Sequence, residues 1–298
     1  MQPSLSRYLI IFTLAQLPML VLAAFFPYLF NGGTLSPSLR ILLRTLLDYL
    51  PCLILAAFLW YDMARTGKVS PTALLLTLTC GLAGLLMHRS RLPLVRHYAP
   101  AVIAYPILLF LTIYFLPAYT TLLGIAFQIL ILILVLNDLF DLYLPRTSTT
   151  RWFIALLIIT CFTTPHVAIL VLLLLCLPSS SISTESTIKS ILTYLIPIAI
   201  FSLARRLCAA IPAHITLFGI PASVTVTTVI SLILFILIIV LLYRDAPKAR
   251  LPRFWLCASA IGSASVSAMC YLFARHEHDN EDLPTTENII SNTIQQQL

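Results

Sequence analysis

Apolar runs long enough to cross a bilayer, separated by short basic or Pro/Ser-rich joints, fill almost the whole chain. Segments such as 8–30, 121–143, 152–175 and 222–243 carry few charges, and at about 1.5 Å per helical residue each reaches across a hydrocarbon layer of about 30 Å. The pattern predicts an all-α polytopic transmembrane helix bundle. Its expected spans are 8–30, 42–61, 71–88, 98–117, 120–143, 152–176, 190–211, 222–243 and 254–274, about nine in all, with eight and ten as the neighbouring counts. Together they make residues 1–274 one helical domain. The remainder, 275–298, is polar and acidic and is expected to be a tail without fixed structure.

Composition removes the water-soluble alternative. Hydrophobic residues make up 60% of the 298 and charged residues 10%, against about 45–50% and 25% in an average soluble domain. No polar stretch between Arg7 and Arg275 is long enough to fold into an appended kinase, nuclease or receptor domain. The first apolar run is read as a retained span, because after Ala23 and Ala24 it continues through Phe25, Phe26 and Pro27 without a polar region suited to cleavage. Seven cysteines without a CxxC pair, all in apolar surroundings, read as core residues.

The net charge of +7 sits in small groups beside apolar spans, where it meets lipid headgroups and sets orientation, so membrane lipids are the expected partners and nucleic acid is not. By the positive-inside rule the joint with Arg89, Arg91 and Arg96 and the joint with Arg146 and Arg151 both face the cytoplasm of a plasma or inner membrane. Counting nine crossings from there places the N-terminus outside. It also places Arg244, Lys248, Arg250 and Arg253 outside, which conflicts with the rule. The conflict is relieved if 190–211 is re-entrant or interfacial, or if the break at Pro165 turns 152–176 back on itself.

Pro18, Pro106, Pro165 and Pro197 fall inside spans, where each frees a carbonyl at a depth lipid cannot satisfy. At Thr163-Thr164-Pro165-His166 a break, two hydroxyls and an imidazole coincide. Ionisable groups at that depth usually face the bundle interior or a wet cavity. This makes Thr163, Thr164 and His166 candidates for a substrate or proton pathway; neutral interhelical hydrogen bonding is the structural alternative. Arg205 and Arg206 either reach headgroups or join that pathway.

Asp138 and Asp141 lie three apart on one helical face, after Asn137 and before Arg146 and Arg151. Two carboxylates so placed can share Mg²⁺ while the arginines reach a phosphate. The segment Asn137-Asp138-Leu139-Phe140-Asp141 resembles the first half of the Asp-rich motif of the UbiA-type membrane prenyltransferases, NDxxDxxxD. That resemblance implies an intramembrane enzyme acting on a lipid-linked phosphate. It covers five residues: Pro145 stands where the third Asp belongs, and no second acidic motif follows.

The last span places Ala258 with Gly262, and Ser259 with Ser263 and Ser267, at four-residue intervals. Small residues so spaced let a neighbouring backbone approach closely, in the same chain, a membrane-protein partner or a second copy. In the tail, His276, Glu277, His278, Asp279, Glu281 and Asp282 form a dense group able to hold a cation loosely. Phosphate-loop, zinc-protease and nucleophile-elbow motifs are absent from the sequence. Broken helices and His166 point first to a transporter or flippase of a small or amphipathic solute, without a cofactor. A non-catalytic membrane subunit and the Mg²⁺-dependent enzyme are the alternatives.

Overall fold

The computed structural model describes residues 5–25, 37–67, 69–90, 92–142, 144, 147–177, 184–209, 211–212, 215–217 and 220–281. The described residues are helical apart from joints and an antiparallel bridge of β1 (Thr216–Leu217) and β2 (Ile220–Pro221). Five segments, Val95–Ile113, Thr120–Phe140, Glu185–Cys208, Ala222–Ala249 and Arg253–Asp279, are long and apolar enough to cross a membrane.

The helices repeat a three-part unit. In the first unit α1 (Leu5–Phe25) and α2 (Pro37–Arg65) form a hairpin, followed by α3 (Pro71–Cys80) and α4 (Leu82–Arg89), which are two halves of one interrupted helix. The second unit has α5 (Val95–Phe115) and α6 (Thr120–Phe140), then α7 (Ser148–Thr163) and α8 (Pro165–Cys176). The third has α9 (Thr184–Ala209) and α10 (Ala222–Asp245), then α11 (Arg253–Glu281), which is interrupted at Ser263 by a non-helical backbone (φ −158°, ψ 95°). Local chemistry starts and stops the halves. Ser70 and Thr147 cap α3 and α7 by accepting the N–H of Ala73 and Thr150. At the breaks, the N–H of Gly81 reaches the Thr77 carbonyl and that of Thr164 reaches the Thr160 carbonyl, both at 2.7 Å.

Each interrupted helix folds back. Residues eight apart in a straight helix are about 12 Å apart, yet Ser259 Oγ and Ser267 Oγ are 2.8 Å apart across the break at Ser263. A Cβ on Gly84 would stand 1.9 Å from the Leu76 carbonyl oxygen across the break at Gly81. Thr72 and His88, near the two ends of that segment, line one cleft. In the second unit Thr164 lies beside Ile198 and Ser202, while Leu174 lies beside Ser186 and Thr187. α8 therefore runs back toward the start of α9, and α7 packs along the same helix.

The units close into a ring. The first helix of each packs on the interrupted helix of the unit before it: α5 on α3, α9 on α7, and α1 on α11. α4, α8 and α11 also contact one another pairwise. Their returning halves supply the driest part of the core: Leu82–Met87, Val167–Leu174 and Ser267–Ala274 are buried throughout. Outward faces are apolar and exposed, with Phe115, Leu122, Phe140, Trp152 and Phe254 among them. Exposed apolar surface on this scale calls for a lipid or protein covering.

Several expected boundaries change. The expected spans 71–88, 152–176 and 254–274 are bent pairs, because a glycine, a Thr-Pro step and a serine interrupt them near the middle. Among the in-span prolines only Pro165 marks a break; Pro18, Pro106 and Pro197 sit inside continuous helices. The last helix runs through Glu281, seven residues into the segment expected as a tail. Arg89 holds Glu277 there at 2.8 Å and Arg275 pairs with Asp279 at 3.5 Å. Asp282 lies outside the described residues.

Candidate functional site

Each unit buries one tyrosine against one aspartate. The hydroxyls of Tyr8, Tyr98 and Tyr194 donate to Asp62 (3.0 Å), Asp138 (2.5 Å) and Asp245 (3.0 Å). The three carboxylates are only 9, 8 and 4% exposed. Every pair joins the first helix of its unit to the C-terminal end of the second. Burying a carboxylate is costly unless it is hydrogen-bonded or paired. Asp62 gains Arg7 at 3.4 Å, and Asp245 gains Arg244 at 3.0 Å and Lys248 at 2.8 Å. Among the described residues Asp138 has Tyr98 and no cation.

The opposite ends of the second and third units line an open cleft of about 510 Å³. Two hairpin tips contribute to its lining, Thr164 of the second unit and Gly262, Ser263 and Ser265 of the third. Its walls come from α9, with Ser202 and Arg205, and α10, with Thr228 and Ser231. The hydroxyls differ in what they can offer. Thr228 and Ser231 donate to the carbonyls of Val224 and Thr227, each at 2.8 Å. Thr164 Oγ1 is buried without a hydrogen-bond partner among the described residues. Ser263 Oγ accepts the N–H of Val266 at 3.4 Å, so its proton remains available to a ligand. No family model, curated protein or solved structure matches this chain. The functional reading therefore rests on this geometry.

The structure brings together residues that the sequence assigned separately. Thr164 and Arg205, from the pathway group, share the cleft with Gly262 and Ser263, from the small-residue seam. Thr163 lies just before the break and donates to the Ile159 carbonyl at 3.0 Å. His166 does not line the cleft: it is half-buried on α8 and meets Phe127 edge-on at 6.2 Å. Arg206 turns to Gln128, donating to Oε1 at 3.4 Å.

The seam is covered at one point by the chain's own first helix, since a Cβ on Gly262 would stand 2.0 Å from Gln16 Nε2. Ala258 is half-buried, while Ser259 and Ser267 are buried against each other. The atom opposing Gly262 is the end of a side chain that can rotate, so Gly262→Ala should cost about 1 kcal/mol, at the low end for overpacking. Thermal unfolding in detergent measures it.

The paired-carboxylate arrangement has a different form from the one expected. Asp138 faces inward to Tyr98, whereas Asp141 is exposed one turn later. Arg151 is exposed on the first turn of α7, and Arg146 lies outside the described residues. Among the described residues no three His, Cys, Asp or Glu side chains gather closely enough to hold a metal ion, and this includes His276 to Asp279. Among the described residues no third His, Cys, Asp or Glu side chain joins Asp138 and Asp141.

Sequence reasoning missed the tyrosines and the repeated unit. Two signals point to them. Tyr98 follows Tyr8 by 90 residues and Tyr194 follows Tyr98 by 96. A buried hydroxyl, on Thr77, Thr160 and Ser259, stands four residues before each break at Gly81, Thr164 and Ser263.

Proposed function

We propose that the chain is a multi-pass integral membrane protein that transports or flips a small or amphipathic solute, with six crossing helices and three re-entrant hairpins in place of nine crossings. The observation that carries this reading is the cleft lined by two hairpin tips. Irregular backbone inside a bilayer is tolerated where it is buried in protein or lines a cavity, and broken helices of this kind form substrate sites in transporters. α4 and α8, of 8 and 12 residues, rise about 12 and 18 Å and are too short to cross alone. Below the tips the packed returning halves supply the barrier a transporter needs.

Basic residues support the same topology. Arg65, Arg89, Arg96, Arg151, Lys248, Arg250, Arg253 and Arg275 fall at the end where the units connect to one another. Arg205 and Arg206 lie toward the other end, as do the opening turns of α2 that carry Arg40 and Arg44. With three segments folded back, Arg244 to Arg253 share the side of Arg89 and Arg151, and the N-terminus joins them on the cytoplasmic side. The conflict of the nine-crossing count disappears.

Flux tests the proposal. Purified protein in sealed vesicles should admit at least one of a panel of radiolabelled neutral, cationic and anionic solutes. Ser263→Trp, which puts a large side chain into the cleft lining, should cut that flux at least tenfold while leaving the elution profile unchanged. Vesicles no more permeable than protein-free controls to the whole panel would remove transport as the reading.

A further inference from the structure

We infer that the cleft between the second and third hairpin tips is a binding site for an oxyanion, a phosphate or carboxylate group held by the Arg205 guanidinium and the hydroxyls of Thr164, Ser202 and Ser263. This deepens the transport reading and rests on it for the route, but the site can be tested without measuring transport.

The first support is charge. Arg205 lines the cleft, and no described carboxylate lies within ion-pair distance of it. The described buried carboxylates sit at the far end of the molecule, each held by its own tyrosine. Arg206, the next residue, is already turned to Gln128. A guanidinium with free donors is suited to bidentate recognition of phosphate or carboxylate.

The second support is an unmet donor. Thr164 lines the cleft, and its Oγ1 is buried without a hydrogen-bond partner among the described residues; a buried polar atom left unpaired is costly. Turned toward the cleft, that hydroxyl would donate to an oxyanion oxygen.

The third is backbone orientation. Thr164 is the N-cap residue of α8 without a side-chain cap bond, and Ser263 caps the returning half of α11 through the Val266 N–H. Both helices start at the cleft, but in the first turn of α8 Pro165 has no N–H and Val167 and Ala168 donate to the Thr164 carbonyl, which leaves the His166 N–H. The outgoing halves end there too and oppose them with their carboxyl ends, so Arg205 decides the sign of the site.

The oxyanion has two possible sources, a soluble solute or a lipid headgroup. Inorganic phosphate is titrated into the purified full-length protein in micelles of a phosphate-free maltoside detergent, with unfolding temperature and calorimetric heat as readouts. In a second arm, the same micelles with and without added phosphatidylglycerol are compared at zero phosphate. Saturable stabilisation by phosphate in the first arm assigns a soluble oxyanion; stabilisation only in the second assigns a lipid phosphate. In whichever arm responds, Arg205→Gln should weaken binding at least tenfold, Arg205→Lys should restore part of it, and Arg206→Gln should change it less than twofold. Thr164→Val and Ser263→Ala, which remove only hydroxyls, should each weaken it about threefold to tenfold and serve if Arg205→Gln does not fold.

Absence of stabilisation in both arms would overturn the site, as would equal effects of Arg205→Gln and Arg206→Gln. Solute flux that persists while phosphate and phosphatidylglycerol have no effect would keep the transport reading and remove the oxyanion.

Discussion

Gly84→Val should unfold the first unit or lower its stability by more than about 3 kcal/mol, beyond the usual range for overpacking. The obstacle is backbone: the Cβ position lies 1.9 Å from the Leu76 carbonyl oxygen and 2.8 Å from the Thr77 nitrogen. Neither atom can rotate aside as a side chain would, so α3 and α4 must separate. Leu82–Met87 are buried against the ring, and opening the hairpin disturbs packing well beyond the first unit. Gly124 on α6 is the control. Its nearest neighbour outside the helix backbone is Tyr105 Oη at 3.9 Å, so Gly124→Ala should be neutral or stabilise by up to about 1 kcal/mol through helix propensity. Thermal unfolding and gel filtration in detergent distinguish the two. A Gly84→Val protein as stable as wild type would show that the halves do not fold back.

The second large effect is a ranking among the tyrosine–aspartate pairs. Removing the hydroxyl from Tyr98 leaves Asp138 buried with no donor and no cation among the described residues, a loss of about 1.5–3 kcal/mol for a hydrogen bond to a charged group. Tyr194→Phe leaves Asp245 with Arg244 and Lys248, and Tyr8→Phe leaves Asp62 with Arg7. Each of these should cost about 1 kcal/mol. The expected order of unfolding temperatures therefore puts Tyr98→Phe lowest. Adding Asp138→Leu to Tyr98→Phe should recover much of the loss, because the orphaned carboxylate goes with it. Equal effects at the three positions would mean that the surrounding cations contribute nothing.

Apolar runs and their joints could be read from the sequence because lipid and a buried protein core both demand long uncharged segments. For the same reason a crossing helix and a re-entrant hairpin look alike in composition. Segments 71–88, 152–176 and 254–274 differ from the others chiefly in what interrupts them. Gly81 takes a positive φ of 57°, Thr164 precedes a proline, and Ser263 lies in a run of small residues. Only the second of these stands out before the structure is seen. Charge added to hydropathy: with nine crossings the Arg244 to Arg253 group falls on the wrong side, which calls for 190–211 to be re-entrant or interfacial or for 152–176 to turn back on itself, and in the structure 152–176 is the segment that folds back.

At the site, the sequence supplied Thr164, Arg205, Gly262 and Ser263 but assigned them to different roles, since 98 residues separate Thr164 from Gly262. Asp138 was matched to Asp141 by helical spacing, yet its partner is Tyr98, 40 residues earlier on another helix. A local rule finds neighbours on one helix and cannot find that contact.

Sidedness tests the account most directly. In a background without native cysteines, Gly67→Cys and Ser90→Cys bracket the first interrupted helix, Lys248→Cys marks the third unit and Ala118→Cys marks a hairpin turn. Labelled with a membrane-impermeant maleimide in sealed, oriented vesicles, positions 67, 90 and 248 should react from one side and position 118 from the other. Labelling of 67 and 90 from opposite sides would make the segment between them a crossing helix and contradict the re-entrant architecture.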